Sequence, residues 1–278
     1  MNTMFISTAA HSPHRFSWQP TTALHDGAPM NAVSLIAALL LSVGLPPLPS
    51  LPPLPSAQAE TLEPFVATYD AWYEGKPAGD ATMRLARLDG PQWQLDLDIH
   101  GRRGLVGFAR LNIGQSTVFN TEAAGDRYRP LSQSTVRKAL FFGRKITGTY
   151  DWVAGAAQWT GDVSKRRRDP VPLREGDMSA LLINLAIIRD AVPGKTLQYR
   201  FVDNGRARDH VYRVSEEPEI IEVGELSYSA LRVSRVEDDD DETIVWVADG
   251  VPTPVRILQR DEDGDGVDLR LIEYQGAE

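Results

Sequence analysis

The chain contains no cysteine in 278 residues. That excludes disulfides, thiolate metal sites, a cysteine nucleophile and a lipid-modified N-terminal cysteine. It also suits an oxidising compartment, where a stray thiol is a liability. Histidine is almost as scarce. Beyond residue 59 only His100 and His210 occur, and neither has a metal partner at usable spacing, so no metal and no cofactor is expected. There is no Gly-x-Ser-x-Gly, no phosphate-cradling glycine loop and no His-Glu-x-x-His. Basic residues are outnumbered, 29 Lys and Arg against 38 Asp and Glu, giving a formal charge of −9. Such an acidic bulk repels nucleic acid and anionic lipid, so nucleic acid is not an expected partner. No apolar run reaches the roughly 20 residues that a bilayer-spanning helix needs, so no integral span is expected in the mature form.

What the N-terminal region does contain is a short apolar run, Ala32–Val43, broken only by Ser34 and Ser42. Its length matches the h-region of a secretory signal, and Ala57-Gln58-Ala59 supplies the small residues a signal peptidase requires. Cleavage is expected after Ala59. Between run and cleavage site, Leu-Pro-Pro-Leu-Pro-Ser occurs twice (45–50 and 51–56), which forbids helix and favours extended chain. Residues 1–29 are polar and carry Arg15 as their one Lys or Arg, and Met30 lies next to the h-region. Residues 1–29 are therefore read as lying upstream of the true start, 30–59 as a signal peptide with a Pro-rich c-region, and 60–278 as a single exported β domain. An uncleaved amphiphilic anchor is the rival reading.

From residue 60 onward the pattern is strand after strand. Trp93, Leu95, Leu97 and Ile99 alternate with Gln94, Asp96, Asp98 and His100, and Leu197, Tyr199 and Phe201 repeat the period. Turn chemistry at Asp89-Gly90-Pro91, Asp203-Asn204-Gly205 and Asp249-Gly250 separates the segments. The fold expected is mainly β: one strongly curved antiparallel sheet or open barrel of roughly a dozen strands. One helix interrupts it, capped by Asp177, running over Met178–Ala191 and closed by Pro193-Gly194. Leu181, Leu182, Ile183, Leu185, Ala186, Ile187 and Ile188 make it apolar nearly all round, so it is expected to be buried in the concavity of the sheet.

Several motifs tempt a functional reading. Asp261–Gly266 opens like a calcium loop, but Leu269 and Ile272 stand where ligands are needed, and an acidic hairpin turn explains it better. Asp238–Asp241 with Glu242 reads as a solvated loop. Lys165–Arg168 either docks a phosphate or lipid headgroup, or protects an edge strand, or is a plain loop. Asp96 and Asp98 share the wet face of one strand, where solubility is sufficient explanation. The tryptophans Trp72, Trp93, Trp152, Trp159 and Trp246 line a cavity or, more commonly in β proteins, pack the core.

Tyr69–Gly79, Arg129-Pro130-Leu131, Gly148–Trp152, Asp177–Leu181 with Arg189, and Trp246 followed by Pro254-Val255-Arg256 together resemble the DUF3108 family of exported Gram-negative proteins. The resemblance runs from about Tyr69 to Tyr274 and implies location and fold; it carries over no catalytic residue. The curved sheet with an enclosed helix is also similar to periplasmic lipoprotein carriers of the LolA/LolB type, at the level of fold. The function expected is a non-enzymatic periplasmic binder or carrier of an apolar ligand or lipid, with lipid or an envelope component as partner. Met178, Leu182, Leu185 and Trp93 are the candidate ligand-binding residues. The alternatives are an envelope structural or assembly factor without ligand, and an envelope glycan or lipid hydrolase.

Overall fold

Alternating apolar and polar residues make each long strand a ribbon with one covered face, and the computed structural model shows what covers it. It describes residues 62–101, 112–122, 127–139, 142–236, 241–260 and 266–276, all within one compact unit, Pro55–Glu278. The signal-peptide segment, Asp238–Asp240 and Asp261–Asp265 of the acidic motifs lie outside these residues.

The first half of the unit is a meander: β1 (Phe65–Tyr73), β2 (Lys76–Arg87), β3 (Gln92–Gly101), β4 (Asn112–Thr121), β5 (Tyr128–Ala139), β6 (Phe142–Asp151) and β7 (Ala156–Gly161). A 3-10 turn (Lys165–Arg167), two short strands β8 (Val171–Pro172) and β9 (Asp177–Met178), and helix α1 (Ala180–Asp190) follow. The second half is β10 (Thr196–Asp203), β11 (Arg206–Val214), β12 (Glu219–Val223), β13 (Leu226–Val236), β14 (Glu242–Ala248), β15 (Arg256–Arg260) and β16 (Gly266–Gly276).

All sixteen strands belong to one sheet, ordered β8-β7-β6-β5-β4-β3-β2-β1-β16-β15-β14-β13-β11-β10-β9, with β12 paired to β13 beside this path. Every neighbouring pair is antiparallel except β9–β10. The sheet is open, because its end strands β8 and β9 do not pair with each other. It is nevertheless strongly curved. Helix α1 touches β3, β4 and β5 from one half and β10 and β14 from the other, and β5 also meets β9. Only a sheet curled round the helix satisfies both sets of contacts.

The curl encloses two cores. The larger gathers Phe65, Tyr69, Met83, Leu85, Leu95, Phe119 and Leu271 around Leu181, Leu182, Leu185 and Ile187 of α1. The smaller joins Tyr150, Ala157, Trp159 and Val163 to Val202 of β10. A polar seam links the halves there. The Tyr150 hydroxyl lies 2.7 Å from the Val202 carbonyl and 2.8 Å from the Gln133 side-chain oxygen, and Gln133 Nε2 donates to Asp203.

The helix begins later than its sequence suggests. Asp177 and Met178 are in β9, and Ser179 occupies the N-cap position without a side-chain cap bond. The reason is competition for the carboxylate. Asp177, fully buried, accepts from the Arg174 backbone N–H and from Arg200, while the Ser179 hydroxyl pairs with Thr117. The last turn closes through Ala191 N–H to the Ile187 carbonyl.

Candidate functional site

A cleft of about 880 Å³ opens at the C-terminal end of α1, within the 300–1,000 Å³ typical of ligand pockets. Its walls come from distant parts of the chain. Leu62 and Phe65 lead into β1, Leu85 ends β2, Tyr128 starts β5, Leu185 and Ile188 face it from the helix, and Val251 and Pro252 close it from the β14–β15 loop. These strand ends meet because the antiparallel order brings β1, β2, β14 and β16 to the same rim. Tyr274 of β16 completes the wall.

The β14–β15 loop is tucked inward and not splayed into solvent. Val251 and Val255 are buried, and Val255 N–H donates to the Trp246 carbonyl at 2.9 Å. Tyr69, fully buried on β1, fixes it by bonding Thr253 and by donating to the Pro254 carbonyl at 2.9 Å. Burial holds the Tyr69 pKa far above the ordinary tyrosine value, against the smaller opposing effect of the Thr253 bond.

The polar groups of the cleft sit on its rim. Glu63 and Asp249 are exposed there. Arg189 lies over the face of Tyr128 at 4.8 Å and forms a two-pronged pair with Asp190, at 2.7 and 2.8 Å. Burial opposes the Arg189 charge, but its bond and attraction to Asp190 prevail, and its pKa stands above the ordinary value. Tyr199 donates to the same carboxylate at 3.0 Å; burial and Asp190 raise its pKa. The rim cation is thus already compensated, and Arg189 Nη1 is buried without a hydrogen-bond acceptor against the Tyr128 ring.

The four candidate ligand-binding residues separate here. Leu185 lines the cleft. Met178, Leu182 and Trp93 are buried in the main core and do not line it. The residues missed from sequence are Phe65, Leu85, Tyr128, Ile188 and Val251, whose shared rim follows from strand order and leaves no local trace. None of the five tryptophans lines the cleft. Trp159 packs edge-to-face on Tyr150 at 5.8 Å, while Trp72, Trp93, Trp152 and Trp246 each carry an arginine over the ring.

Asp96, Asp98 and His100 line a shallower groove of about 280 Å³ on β3–β5, with Ser116, Ser134 and Lys138. Asp96 accepts both its contacts from Gln94 at 2.9 Å. No cluster of three metal-ligating side chains occurs among the described residues. His210 is stacked on Phe201 at 4.8 Å. Among the described residues no helix is long and apolar enough to cross a membrane.

Comparison with known proteins finds that the family model DUF3108, described as a protein of unknown function, matches residues 68–271. No curated protein matches the chain. Among solved structures, the chain is similar to a β-barrel-like protein of the domain of unknown function DUF1849 from Brucella abortus. Identity is 10%, the alignment covers 78% of this chain and 99% of that one, and the TM-score is 0.46. A second similar structure is a DUF1089 family protein from Pseudomonas aeruginosa, at 14% identity, with 67% and 88% of the two chains covered and a TM-score of 0.33.

Proposed function

We propose that this chain, which belongs to the DUF3108 family of proteins of unknown function, is a non-enzymatic periplasmic protein that holds the apolar part of a lipid-like ligand in the cleft beside α1. The observation that carries this reading is the cleft itself. Eleven of its sixteen lining residues are apolar or aromatic, and the charged ones, Glu63, Arg189 and Asp249, stand at the rim. That division suits an amphipathic molecule, with its chain against the half-buried Leu62, Ile188, Pro252 and Tyr274 and its polar end outside.

The same geometry weighs against hydrolysis. A general acid needs a carboxyl group set in an apolar or crowded site, and Glu63 and Asp249 are both exposed. Export through a cleaved signal peptide belongs to the same proposal and rests on Ala32–Val43 and Ala57-Gln58-Ala59.

Native mass spectrometry of protein recovered from the periplasm of expressing cells tests the reading. The expected result is a co-extracted lipid-sized adduct that disappears in Ile188→Trp, whose indole fills the cleft from a half-buried position. Recovery of bare protein throughout, or an adduct that persists undiminished in Ile188→Trp, contradicts it.

A further inference from the structure

The net charge of −9 conceals one strongly basic end. Three chain segments build it. The β5–β6 hairpin carries Arg137 and Lys138 on one strand and Arg144 and Lys145 on the other, with Arg137 directly opposite Arg144. The 3-10 turn contributes Lys165, Arg166 and Arg167, followed by Arg168. The β10–β11 hairpin adds Arg206 and Arg208 just past its Asn204-Gly205 turn.

These segments are fastened together. Lys145 N–H donates to Asp162 Oδ2 at 2.8 Å, and Asp162 N–H returns a bond to the Lys145 carbonyl at 2.9 Å. Gly205, at φ +69°, lies so close to Arg167 that an added Cβ would strike its backbone carbonyl. Gln133 of β5 donates to Asp203 of β10. Slight burial, then the proximity of Arg167 and Arg208, depresses the Arg206 pKa.

These ten basic side chains share the region with Asp162, Asp169, Asp203 and Asp209, and Lys138 also borders the groove lined by Asp96 and Asp98. All ten are exposed except Arg167, which is half-buried. Among the described residues none of the ten is ion-paired, whereas Arg127, Arg129, Arg200, Arg256 and Arg270 elsewhere all are. Arg167 and Arg137 act on the largely buried Asp203 carboxylate and oppose the rise that burial imposes on its pKa, but the like charges left over cost stability, so an external anion is the natural complement.

We propose that this end of the molecule docks on an anionic lipid bilayer. The ten groups are spread over three turn regions, which fits an extended charged surface. Outside these segments the chain carries more acidic than basic residues, which favours this end for such a surface. The cleft opens at the opposite end of β5, at Tyr128, so the docking surface stands or falls independently of the ligand reading.

The test is co-sedimentation of the purified protein with phosphatidylcholine vesicles containing about 30% phosphatidylglycerol, a composition bearing the negative surface potential at issue. Each basic residue near such a surface strengthens binding roughly five-fold. Binding is expected at about 0.1 M salt, to be lost at about 0.5 M as screening shortens, and to be absent with pure phosphatidylcholine. The variant Lys165→Gln/Arg166→Gln/Arg206→Gln/Arg208→Gln is expected to bind at least ten-fold more weakly. The control Lys76→Gln/Arg84→Gln/Lys195→Gln/Arg213→Gln makes the same change in net charge elsewhere and is expected to bind nearly as the parent does. Should the first variant fail to fold by thermal unfolding, Lys165→Gln/Arg166→Gln alone carries the comparison. No binding at low salt, equal weakening in both variants, or tighter binding to a single-stranded oligonucleotide than to the vesicles overturns the proposal.

Discussion

Half-buried His210 and buried Tyr69 and Tyr212 shape how the molecule responds to pH. Burial, then Arg235 and Arg208, lowers the His210 pKa to about 4. The unfolded chain takes up this proton below about 6.5, while the folded chain resists until about 4. The contribution is therefore complete above about pH 6.5 and is lost as pH falls towards 4. His210→Phe keeps the stack on Phe201 and removes the Nδ1 that is buried without a partner. Urea unfolding is expected to find the variant close to the parent at pH 7 and more stable than it at pH 5. Tyr69 and Tyr212 act at the other limit, Tyr212 being pushed up to about 12 by burial. The unfolded chain loses these protons near pH 10 while the folded chain keeps them, so stability falls as pH rises above 10. Tyr69→Phe takes the tyrosine donor from the Pro254 carbonyl and leaves the Thr253 hydroxyl with only its weak bond to the Met83 sulfur. It is expected to cost about 1–3 kcal/mol at neutral pH and to make the alkaline fall shallower, both measurable by chemical denaturation.

At the scale of elements, the unusual feature is the seam where the open sheet nearly meets itself. β8 and β9 are joined by the short run 173–176, and Arg200 of β10 braces it by pairing with Asp177 and approaching the Pro172 carbonyl. Asp177 has no exposed surface, so removing its cation leaves a buried charge alone. Arg200→Met is expected to lower stability by roughly 3–5 kcal/mol, and Asp177→Leu/Arg200→Met to recover much of it; urea midpoints check both. Elements were legible from sequence where alternation is clear, as in β1, β3 and β10, and where turn residues are specific, as at Asn204-Gly205. β5 is not legible because Pro130 and Ser132–Thr135 break the pattern. Its proline is tolerated because the register between β4 and β5 shifts at Val118/Phe119, and Pro130 lies opposite Phe119 beside that bulge. Pro77 stands in the same relation to the shift at Ala71/Trp72. β8, β9 and β12 are too short or too evenly apolar for periodicity to reveal them.

The Pro55–Glu278 unit is a curled sheet, antiparallel except at β9–β10, round one apolar helix among the described residues, a class that composition and period do disclose. Its site is harder to read. Of the four residues singled out, Leu185 reaches the cleft, whereas Met178, Leu182 and Trp93 lie in the main core. Helical periodicity identifies the buried faces of α1 but not which of them ends at an opening, since that depends on strands as distant in sequence as β1. Charge was misleading for a related reason, because a chain average hides a basic end assembled from three segments. The central claim is that the cleft at the end of α1 takes an apolar chain, and its most direct test is equilibrium titration of the delipidated protein with a fluorescent long-chain fatty acid. Saturable binding near one equivalent, abolished or at least ten-fold weaker in Ile188→Trp while thermal unfolding is unchanged, is the result predicted. No saturable binding, or equal affinity in the parent and Ile188→Trp, would contradict it.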